Sequence, residues 1–445
     1  MAETFDSIYA GGTVVNHNGS VRADVGVRDG RFAALGDLTR ADAGERIDCK
    51  GLHLLPGFID TQVHFREPGL EHKEDLETGS RAAVMGGVTA VFEMPNTSPQ
   101  TVTAAALEDK LARARGRMHC DFAFFVGGTH DNARDLPELE RLPGVPGVKV
   151  FIGSSTGDLL VEDDGGIEAI LSRISRRAAF HCEDEYRLRE RAGLRVENDP
   201  SSHPVWRDEE AALLATTRLV NIARRLGKRV HVLHVTSAEE MVFLAGAKDV
   251  ASVEVTPNHL TMAAEEAYPR LGSRAQMNPP VRGERHRDAL WRAVFDGTAD
   301  ILGSDHAPHT LQEKAKVYPA SPSGMTGVQT LCPIMLDHVA AGRLSLERLV
   351  DMTSAGPARL FNIACKGRIA NGYDADLTIV DLKRHATITN DWIASRSQWT
   401  PFDGKQVNGW PVGTVIRGTK VMWEGELTAP SAGAAVRFLE TLQPA

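Results

Sequence analysis

Residues 56–69, PGFIDTQVHFREPG, have the pattern of a buried β-strand that ends in alternating polar side chains. In an extended strand Gln62, His64 and Arg66 point to the same side, so one cavity could hold all three. Further apolar runs end at or beside other polar residues that can bind metals, namely Lys149, His181, His234 and Asp305. A parallel β/α barrel brings the C-terminal ends of its strands to one face, where barrel enzymes carry their catalytic groups. The sequence therefore predicts one ring-shaped site with the chemistry of a metal-dependent hydrolase.

The region around this strand, residues 54–362, alternates short apolar runs with helical patterns, as in 88–94, 104–115 and 121–126. Such alternation is typical of repeated βα units. About eight strands emerge when the run before Asp305 is counted, which predicts an α/β fold with a closed (β/α)8 TIM-type barrel. An open doubly wound sheet is the alternative, but no GxGxxG motif follows the first strand.

Both ends of the chain have a different texture. Residues 1–53 and 363–445 contain short β-like runs separated by turns such as Asn18-Gly19 and Asp29-Gly30. These are hairpin signals. A chain of 445 residues is also too long for one ordinary domain. We therefore expect a small β-sandwich domain formed from residues 1–53 and 363–445, attached to a barrel of residues 54–362.

The composition is that of a soluble globular protein, with 42% hydrophobic and 24% charged residues. The formal charge of -9 is spread without long runs, which argues against nucleic-acid binding and favours a small-molecule partner. No export signal is visible, and no apolar run approaches the roughly 20 residues of a membrane helix. Five scattered cysteines favour reduced thiols in the cytoplasm: Cys49, Cys120, Cys182, Cys332 and Cys365.

With its continuation into Arg66 and a Pro-Gly pair, the stretch 56–69 resembles the amidohydrolase superfamily, whose first barrel strand ends in HxH, and within it the dihydroorotases. The resemblance spans the chain and includes residues 367–377 and 400–404, which are typical of dihydroorotases and related cyclic amidases. It implies a cyclic amide hydrolase that interconverts dihydroorotate and N-carbamoyl-aspartate in pyrimidine biosynthesis. The chain departs from the family pattern at Gln62, which stands where the first histidine of HxH is expected.

The resemblance also implies a zinc site with one or two ions per chain. Neutral imidazoles suit zinc, and an ammonium group at Lys149 would be costly to bury among apolar neighbours. In the family this lysine is carboxylated and bridges two metal ions; the alternative is a lysine whose head reaches water. His231, three residues before His234, is interpreted as structural. The implied ligands are His64, Lys149, His181, His234 and Asp305, with Gln62 as a further candidate.

Asp305 follows an apolar strand and is the predicted general acid and base, although an aspartate before a proline-containing loop can also be a turn former. Other residues match family positions that contact the substrate carboxylate or the cyclic diamide, and we expect them to bind the substrate. Taken singly, each could also be a surface or turn residue. A guanidinium fork suits a carboxylate, which favours dihydroorotase over hydantoinase or allantoinase. The implied contacts are Arg66, Asn96, Asn278, His309, Ser323 and Gly324. Residues 310–323 have the length of a lid loop.

Gln62 leaves three outcomes open: a two-zinc enzyme, a one-zinc enzyme that relies on His181 and His234, or a silent relative that binds another enzyme of the pyrimidine pathway. The survival of the other site residues favours activity. A homo-oligomer, specifically a dimer, is the predicted assembly.

Overall fold

The computed structural model describes residues 4–155 and 159–442. Its strands form two groups, a parallel set in the middle of the chain and an antiparallel-rich set from both ends. In chain order the strands are β1 Thr4–Ala10, β2 Thr13–Asn16, β3 Gly19–Arg22, β4 Asp24–Arg28, β5 Arg31–Gly36, β6 Asp42–Asp48, β7 His53–Pro56, β8 Phe58–Val63, β9 Val88–Glu93, β10 Asp121–Phe124, β11 Val126–Gly127, β12 Val148–Phe151, β13 Ala178–His181, β14 Val230–Val232, β15 Ala251–Val255, β16 Ile301–Leu302, β17 Leu377–Thr387, β18 Gln406–Ile416, β19 Thr419–Trp423 and β20 Glu426–Leu427.

Strands β8 to β16 form the barrel. One parallel sheet has the order β10-β9-β8, and a second runs in sequence from β11 to β16. The sheets are joined on one side because β10 and β11 are consecutive parts of one extended stretch, interrupted at Phe125. On the other side a parallel bridge between Val63 and His306 closes the ring. Every residue of these strands is buried, as expected for strands covered on both faces. The prediction of a closed TIM-type barrel is confirmed.

Helices follow most of the barrel strands and cover them from outside. The longest, α7, begins after Asp208, whose side chain accepts a hydrogen bond from the backbone of Ala211, and ends at Gly227 with φ of 64°. In chain order the helices are α1 Leu76–Met85, α2 Ala104–Ala114, α3 Leu136–Leu139, α4 Asp164–Arg173, α5 Glu185–Glu190, α6 His203–Trp206, α7 Glu209–Leu226, α8 Ala238–Ala245, α9 Pro257–Thr261, α10 Ala264–Leu271, α11 Glu284–Asp296, α12 Leu311–Lys314, α13 Leu331–Ala340, α14 Leu346–Val350 and α15 Gly356–Leu360.

The remaining strands build a β-sandwich from both chain ends. One sheet has the order β5-β4-β1-β6, and the other β20-β19-β18-β17-β7-β2-β3. Side chains of both sheets, including Tyr9, Val25 and Ile379, share one hydrophobic core. This sandwich confirms the predicted second unit. The boundaries at 53/54 and 362/363 stay predictions; β7 spans the first of them, and residues 1–3 and 443–445 lie outside the described residues.

The five cysteines are all free, in agreement with the prediction of reduced thiols. Within residues 4–155 and 159–442, no helix combines the length and apolarity needed to cross a membrane.

Candidate active site at the barrel mouth

The predicted site residues converge at the C-terminal ends of the barrel strands. Gln62 belongs to β8, Lys149 to β12 and His181 to β13, whereas His234 and Asp305 lie just beyond β14 and β16. One pocket is lined by Gln62, His64, Arg66, Asn96, Phe151, Ser155, His181, His234, Asn278, Asp305, Ala307, Ser323 and Gly324. Of the predicted residues only Lys149 and His309 are absent from this lining, and both lie directly behind it, beside Phe151 and Arg66.

Three of these residues have left-handed backbone conformations that side-chain-bearing residues rarely adopt. The φ angles are 67° at Arg66, 36° at His234 and 48° at Asp305. Each lies where the chain leaves a barrel strand. Such strain persists only where surrounding structure fixes it, and it clusters at functional sites.

His64 is oriented by a neighbouring amide. Its Nδ1 lies 2.8 Å from the Oδ1 of Asn96, which accepts the ring proton and leaves a lone pair on Nε2. That Nε2 lies 3.3 Å from a carboxylate oxygen of Asp305. Burial and the nearby Arg66 guanidinium hold the pKa of His64 well below its usual value. The Nε2 lone pair of His64 and the carboxylate oxygen of Asp305 therefore face each other in a buried place. A cation bound to both atoms would stabilise this arrangement.

His181 and His234 form a second pair. The Nδ1 of His181 lies 3.1 Å from the Nε2 of His234. On the far side of the ring, the Nε2 of His181 lies 2.9 Å from a carboxylate oxygen of Glu183. This distance places a carboxylate beside the ring nitrogen that faces away from His234, as in carboxylate-histidine-metal groups, although that nitrogen makes no hydrogen bond within the described residues. Burial lowers the pKa of both imidazoles, so both rings are neutral and able to bind a metal.

Lys149 has the environment of an unprotonated amine. The residue is 1% exposed, and its Nζ has no hydrogen-bond partner among the described residues. The amine lies over the ring of Phe151, 4.3 Å from the ring centre. Burial lowers the pKa of Lys149 to about 7, although the nearby Cys182 and Asp305 partly offset this effect. A large fraction of the amine is therefore neutral near neutral pH.

Asp305 is buried at the centre of the site. Burial, reinforced by the negative charge of Glu254, raises the pKa of Asp305 to about 7. Its carboxylate accepts a hydrogen bond of 3.1 Å from the side-chain amide of Gln62. The amide oxygen of Gln62 is buried and has no hydrogen-bond partner in the described part of the chain. Gln62 thus holds Asp305 in place by donating to it.

Arg66 lines the pocket and contacts the loop that follows Asp305. Its Nε donates to the backbone oxygen of Pro308 at 3.1 Å, and its Nη2 lies 3.3 Å from the Nε2 of His309. The same His309 nitrogen lies 3.0 Å from the backbone oxygen of Ser323. Arg66 is 1% exposed, and among the described residues its Nη1 has no hydrogen-bond partner.

Gly324 has to be a glycine for two reasons. Its φ is 144°, and a Cβ at this position would lie 2.4 Å from the backbone oxygen of Ala307. The close approach brings the 323–324 backbone against the ring of His309.

The segment predicted as a lid, residues 310–323, contains α12 and packs beside the pocket. Its Lys314 is buried and donates to the backbone oxygens of Gln276 and Pro322 at 3.1 and 2.8 Å. Asn278 is held through its Oδ1, which lies 3.0 Å from the Nε2 of His203. Movement of this segment as a lid stays a prediction.

Sequence reasoning missed several neighbours of the site. Phe151, Ser155 and Ala307 line the pocket, and Glu183 lies behind His181. Glu183 had a visible signal, because residues two apart in an extended chain point to the same side. The apolar and small residues carried none. The histidine interpreted as structural, His231, contacts the Oγ of Ser252 at 2.8 Å and is absent from the pocket lining.

The donor set fits a divalent metal ion. Two neutral imidazoles lie 3.1 Å apart, a third imidazole nitrogen faces a carboxylate, and nearby is an amine that has no hydrogen-bond partner among the described residues. Nitrogen and carboxylate donors of this kind are the usual ligands of zinc and related ions. Elsewhere, His130, Glu162 and Asp163 also have ligand atoms within 4.8 Å of one another, but that group is at the surface and Glu162 is paired with Arg189.

Comparison with known proteins agrees with this geometry. The amidohydrolase family model matches residues 53–421. The dihydroorotase of Halobacterium salinarum is 39% identical over 416 residues, which cover 88% of this chain and 95% of that protein. The dihydroorotase of Methanosarcina mazei is 35% identical over 450 residues, with 97% of each covered. Among solved structures, the L-hydantoinase (dihydropyrimidinase) of Arthrobacter aurescens matches with a TM-score of 0.93 at 31% identity, covering 97% of this chain and 99% of that one. The dihydropyrimidinase of Brevibacillus agri has a TM-score of 0.91 at 27% identity, with 98% and 100% covered.

Proposed function

Because this chain belongs to the amidohydrolase family, we propose that it is a metal-dependent dihydroorotase, which interconverts dihydroorotate and N-carbamoyl-aspartate. The observation that carries the substrate assignment is the buried guanidinium of Arg66, whose Nη1 has no partner among the described residues. A buried guanidinium with an unused donor calls for an acceptor, and a carboxylate matches its geometry. Dihydroorotate has a carboxylate, whereas hydantoin and dihydrouracil have none.

The metal site is the second part of the proposal. Zinc, as one or two ions per chain, would be held by His64, His181, His234, Asp305 and Lys149. When bound, such an ion lowers the pKa of a coordinated water and polarises the ring carbonyl. The neutral amine of Lys149 is suited to add to the carbon of carbon dioxide and release one proton, which yields a carbamate with two oxygen donors.

Asp305 is the proposed catalytic base and acid. The Gln62 amide donates to its Oδ1 at 3.1 Å, and the Nε2 of His64 lies 3.3 Å from the same oxygen, so this carboxylate oxygen is held within the site. In the hydrolytic direction it accepts a proton from the attacking water and then delivers that proton to the ring nitrogen as the amide bond breaks. A buried carboxylate is suited to this double role because burial brings the free energies of its charged and neutral forms close together.

A substrate panel tests the function. Purified, zinc-loaded protein is assayed with dihydroorotate, dihydrouracil and hydantoin at equal concentration. We expect kcat/KM for ring hydrolysis to be largest for dihydroorotate. Faster turnover of the uncharged rings would favour the hydantoinase alternative. No turnover of any ring by metal-loaded protein would instead favour the silent scaffold.

Carboxylation of Lys149 can be tested by reloading the protein with zinc in the presence and absence of carbon dioxide. Metal-free protein reloaded with zinc in bicarbonate buffer should bind more zinc and recover more activity than the same protein reloaded in buffer free of carbon dioxide. The control is Lys149→Met, an unbranched side chain one atom shorter that lacks the amine, and its zinc uptake should not depend on bicarbonate. Equal uptake by the parent protein in both buffers would contradict the carbamate.

Substitution of Gln62 tests what this departure from the family pattern does. We expect Gln62→His to raise the zinc content or leave it unchanged, since it adds an imidazole donor at the end of β8. Gln62→Ala is the matched comparison, because it removes the hydrogen bond to Asp305 without adding a donor. A marked loss of zinc in Gln62→His alone would show that the glutamine is itself tuned as a ligand.

Three further expectations complete the proposal. The five free cysteines support a cytoplasmic location, where thiols stay reduced. A homodimer is the proposed assembly, and another pyrimidine-pathway enzyme is a proposed additional partner. Gel filtration of the purified protein, alone and mixed with such an enzyme, tests the last two.

A further inference from the structure

A second pocket lies at the opposite end of the barrel from the catalytic mouth. It is formed where the chain enters the strands, because Arg177 immediately precedes β13 and Arg229 immediately precedes β14. Its volume is about 460 Å³, within the range of small-molecule sites. It shares no lining residue with the catalytic pocket.

The charge of this basal pocket is unbalanced. Its lining includes four cationic side chains, from Arg176, Arg177, Lys228 and Arg229, and one carboxylate, from Glu440. Among residues 4–155 and 159–442, the ion pair at this pocket joins Arg176 to Glu440, with 3.7 Å between Nη2 and Oε2. That separation is too long for a hydrogen bond.

Two of these four cations, Arg177 and Lys228, donate to neutral groups. The Nη1 of Arg177 donates to the backbone oxygen of Val230 and to the Oγ of Ser252, both at 3.0 Å. Lys228 donates to the backbone oxygen of Ile174 at 2.6 Å. Neutral acceptors fix the position of a cation without neutralising it.

Arg176 keeps an unused donor, although Glu440 lies 3.7 Å from its Nη2 and its guanidinium packs over the ring of Phe438. It is 8% exposed, and its Nη2 has no hydrogen-bond partner in the described part of the chain. Its Nη1 donates to the backbone oxygen of Glu140 at 2.9 Å. The Glu140 carboxylate is itself occupied by the backbone N–H groups of Ser175 and Arg176. Burying a guanidinium with an unused donor is costly unless a ligand completes it.

Two other features define the ligand. Burial and the nearby positive charge of Arg229 lower the pKa of Arg177 to about 10. An anion bound between the two guanidinium groups would raise that pKa again. The nearby carboxylate of Asp300, which is paired with Lys248, offsets only part of this lowering of the Arg177 pKa. The lining also includes Leu226, Leu360 and Phe361, which offer apolar surface.

We propose that this basal pocket binds a phosphorylated small metabolite about the size of a mononucleotide, with its phosphate among the four cations and its uncharged part against the apolar wall. Phosphate oxygens accept several charge-assisted hydrogen bonds at once, and arginine forks match their geometry. The site lies far from the reacting groups, so a ligand here does not compete with the substrate of the proposed reaction.

Isothermal titration of the zinc-loaded protein with pyrophosphate and with uridine monophosphate tests this site. We expect both probes to bind, and Arg229→Glu to weaken binding by at least about tenfold through loss and reversal of one charge. Arg22→Glu, the same change at an exposed position of β3, is the matched control and should bind as the parent does. Arg176→Lys keeps the charge but removes the fork, and should weaken binding less than Arg229→Glu.

Three results would overturn the proposal: no heat from either probe at millimolar concentration, equal weakening by Arg229→Glu and Arg22→Glu, or displacement of the probe by dihydroorotate. The titration does not depend on turnover, so it separates this site from the proposed function. Arg229→Glu should also keep the parent kcat, because Arg229 lies outside the catalytic pocket.

Discussion

Asp305→Asn is expected to lower kcat for dihydroorotate by about a thousandfold or more, because general acid and base catalysis alone contributes about 10² to 10⁴-fold. Asparagine has nearly the same shape but cannot accept and return a proton at this position. It also replaces an anionic metal donor by a neutral one, and zinc content measured beside kcat separates the two losses.

A matched control lies beside the same strand, β16. Asp300 precedes β16, at the opposite end from Asp305, and binds Lys248 and the backbone N–H of Val253. Asp300→Asn should therefore leave kcat within about tenfold of the parent, since it touches no proposed reacting group. If Asp305→Asn retained its zinc and lost less than about tenfold in kcat, the proton-transfer role of Asp305 would be wrong.

Arg66→Met is expected to change which ring the enzyme accepts. Removing one partner of a buried charge pair costs about 2 to 5 kcal/mol, so kcat/KM for dihydroorotate should fall by about 30-fold to several thousandfold. For dihydrouracil, which has no carboxylate, kcat/KM should change by less than about tenfold. The ratio of kcat/KM for dihydroorotate to kcat/KM for dihydrouracil therefore tests whether Arg66 binds the substrate carboxylate.

Arg66→Lys is the matched comparison, because it keeps the charge but loses the planar fork. Its kcat/KM for dihydroorotate should lie between those of the parent and Arg66→Met. Arg66 also supports Pro308 and His309, so circular dichroism is needed to establish that each variant is folded. An equal loss of kcat/KM for both substrates would mean that Arg66 positions the loop at Pro308 and His309 and does not bind the substrate carboxylate.

The fold was readable from the sequence because its signals are local. Apolar runs alternating with helical patterns predicted the barrel, and turn pairs such as Asn18-Gly19 predicted the hairpins of the sandwich. Strand ends were less exact. His234 lies two residues beyond β14, at a φ of 36°, because the backbone turns sharply before the side chain enters the site. Tertiary packing imposes that turn, and no local pattern encodes it.

The types and approximate positions of the site residues could likewise be predicted from the sequence. Residues at strand ends meet on one face of any closed parallel barrel, so Lys149, His181 and Asp305 could be grouped without knowing a single distance. The residue types then pointed to metal chemistry, because imidazole, carboxylate and a buried amine are suited to it.

Only the tertiary structure decided how these groups are paired and protonated. The bond from Gln62 to Asp305 joins residues 243 positions apart, and the bond from Asn96 fixes which nitrogen of His64 faces the site. The unused donor of Arg66, the lack of a hydrogen-bond partner for the Lys149 amine among the described residues, and the unbalanced basal pocket also emerge only in three dimensions. The reason is physical: periodicity depends on near neighbours in the chain, whereas hydrogen bonding and desolvation depend on whatever strand order and register bring within a few ångströms.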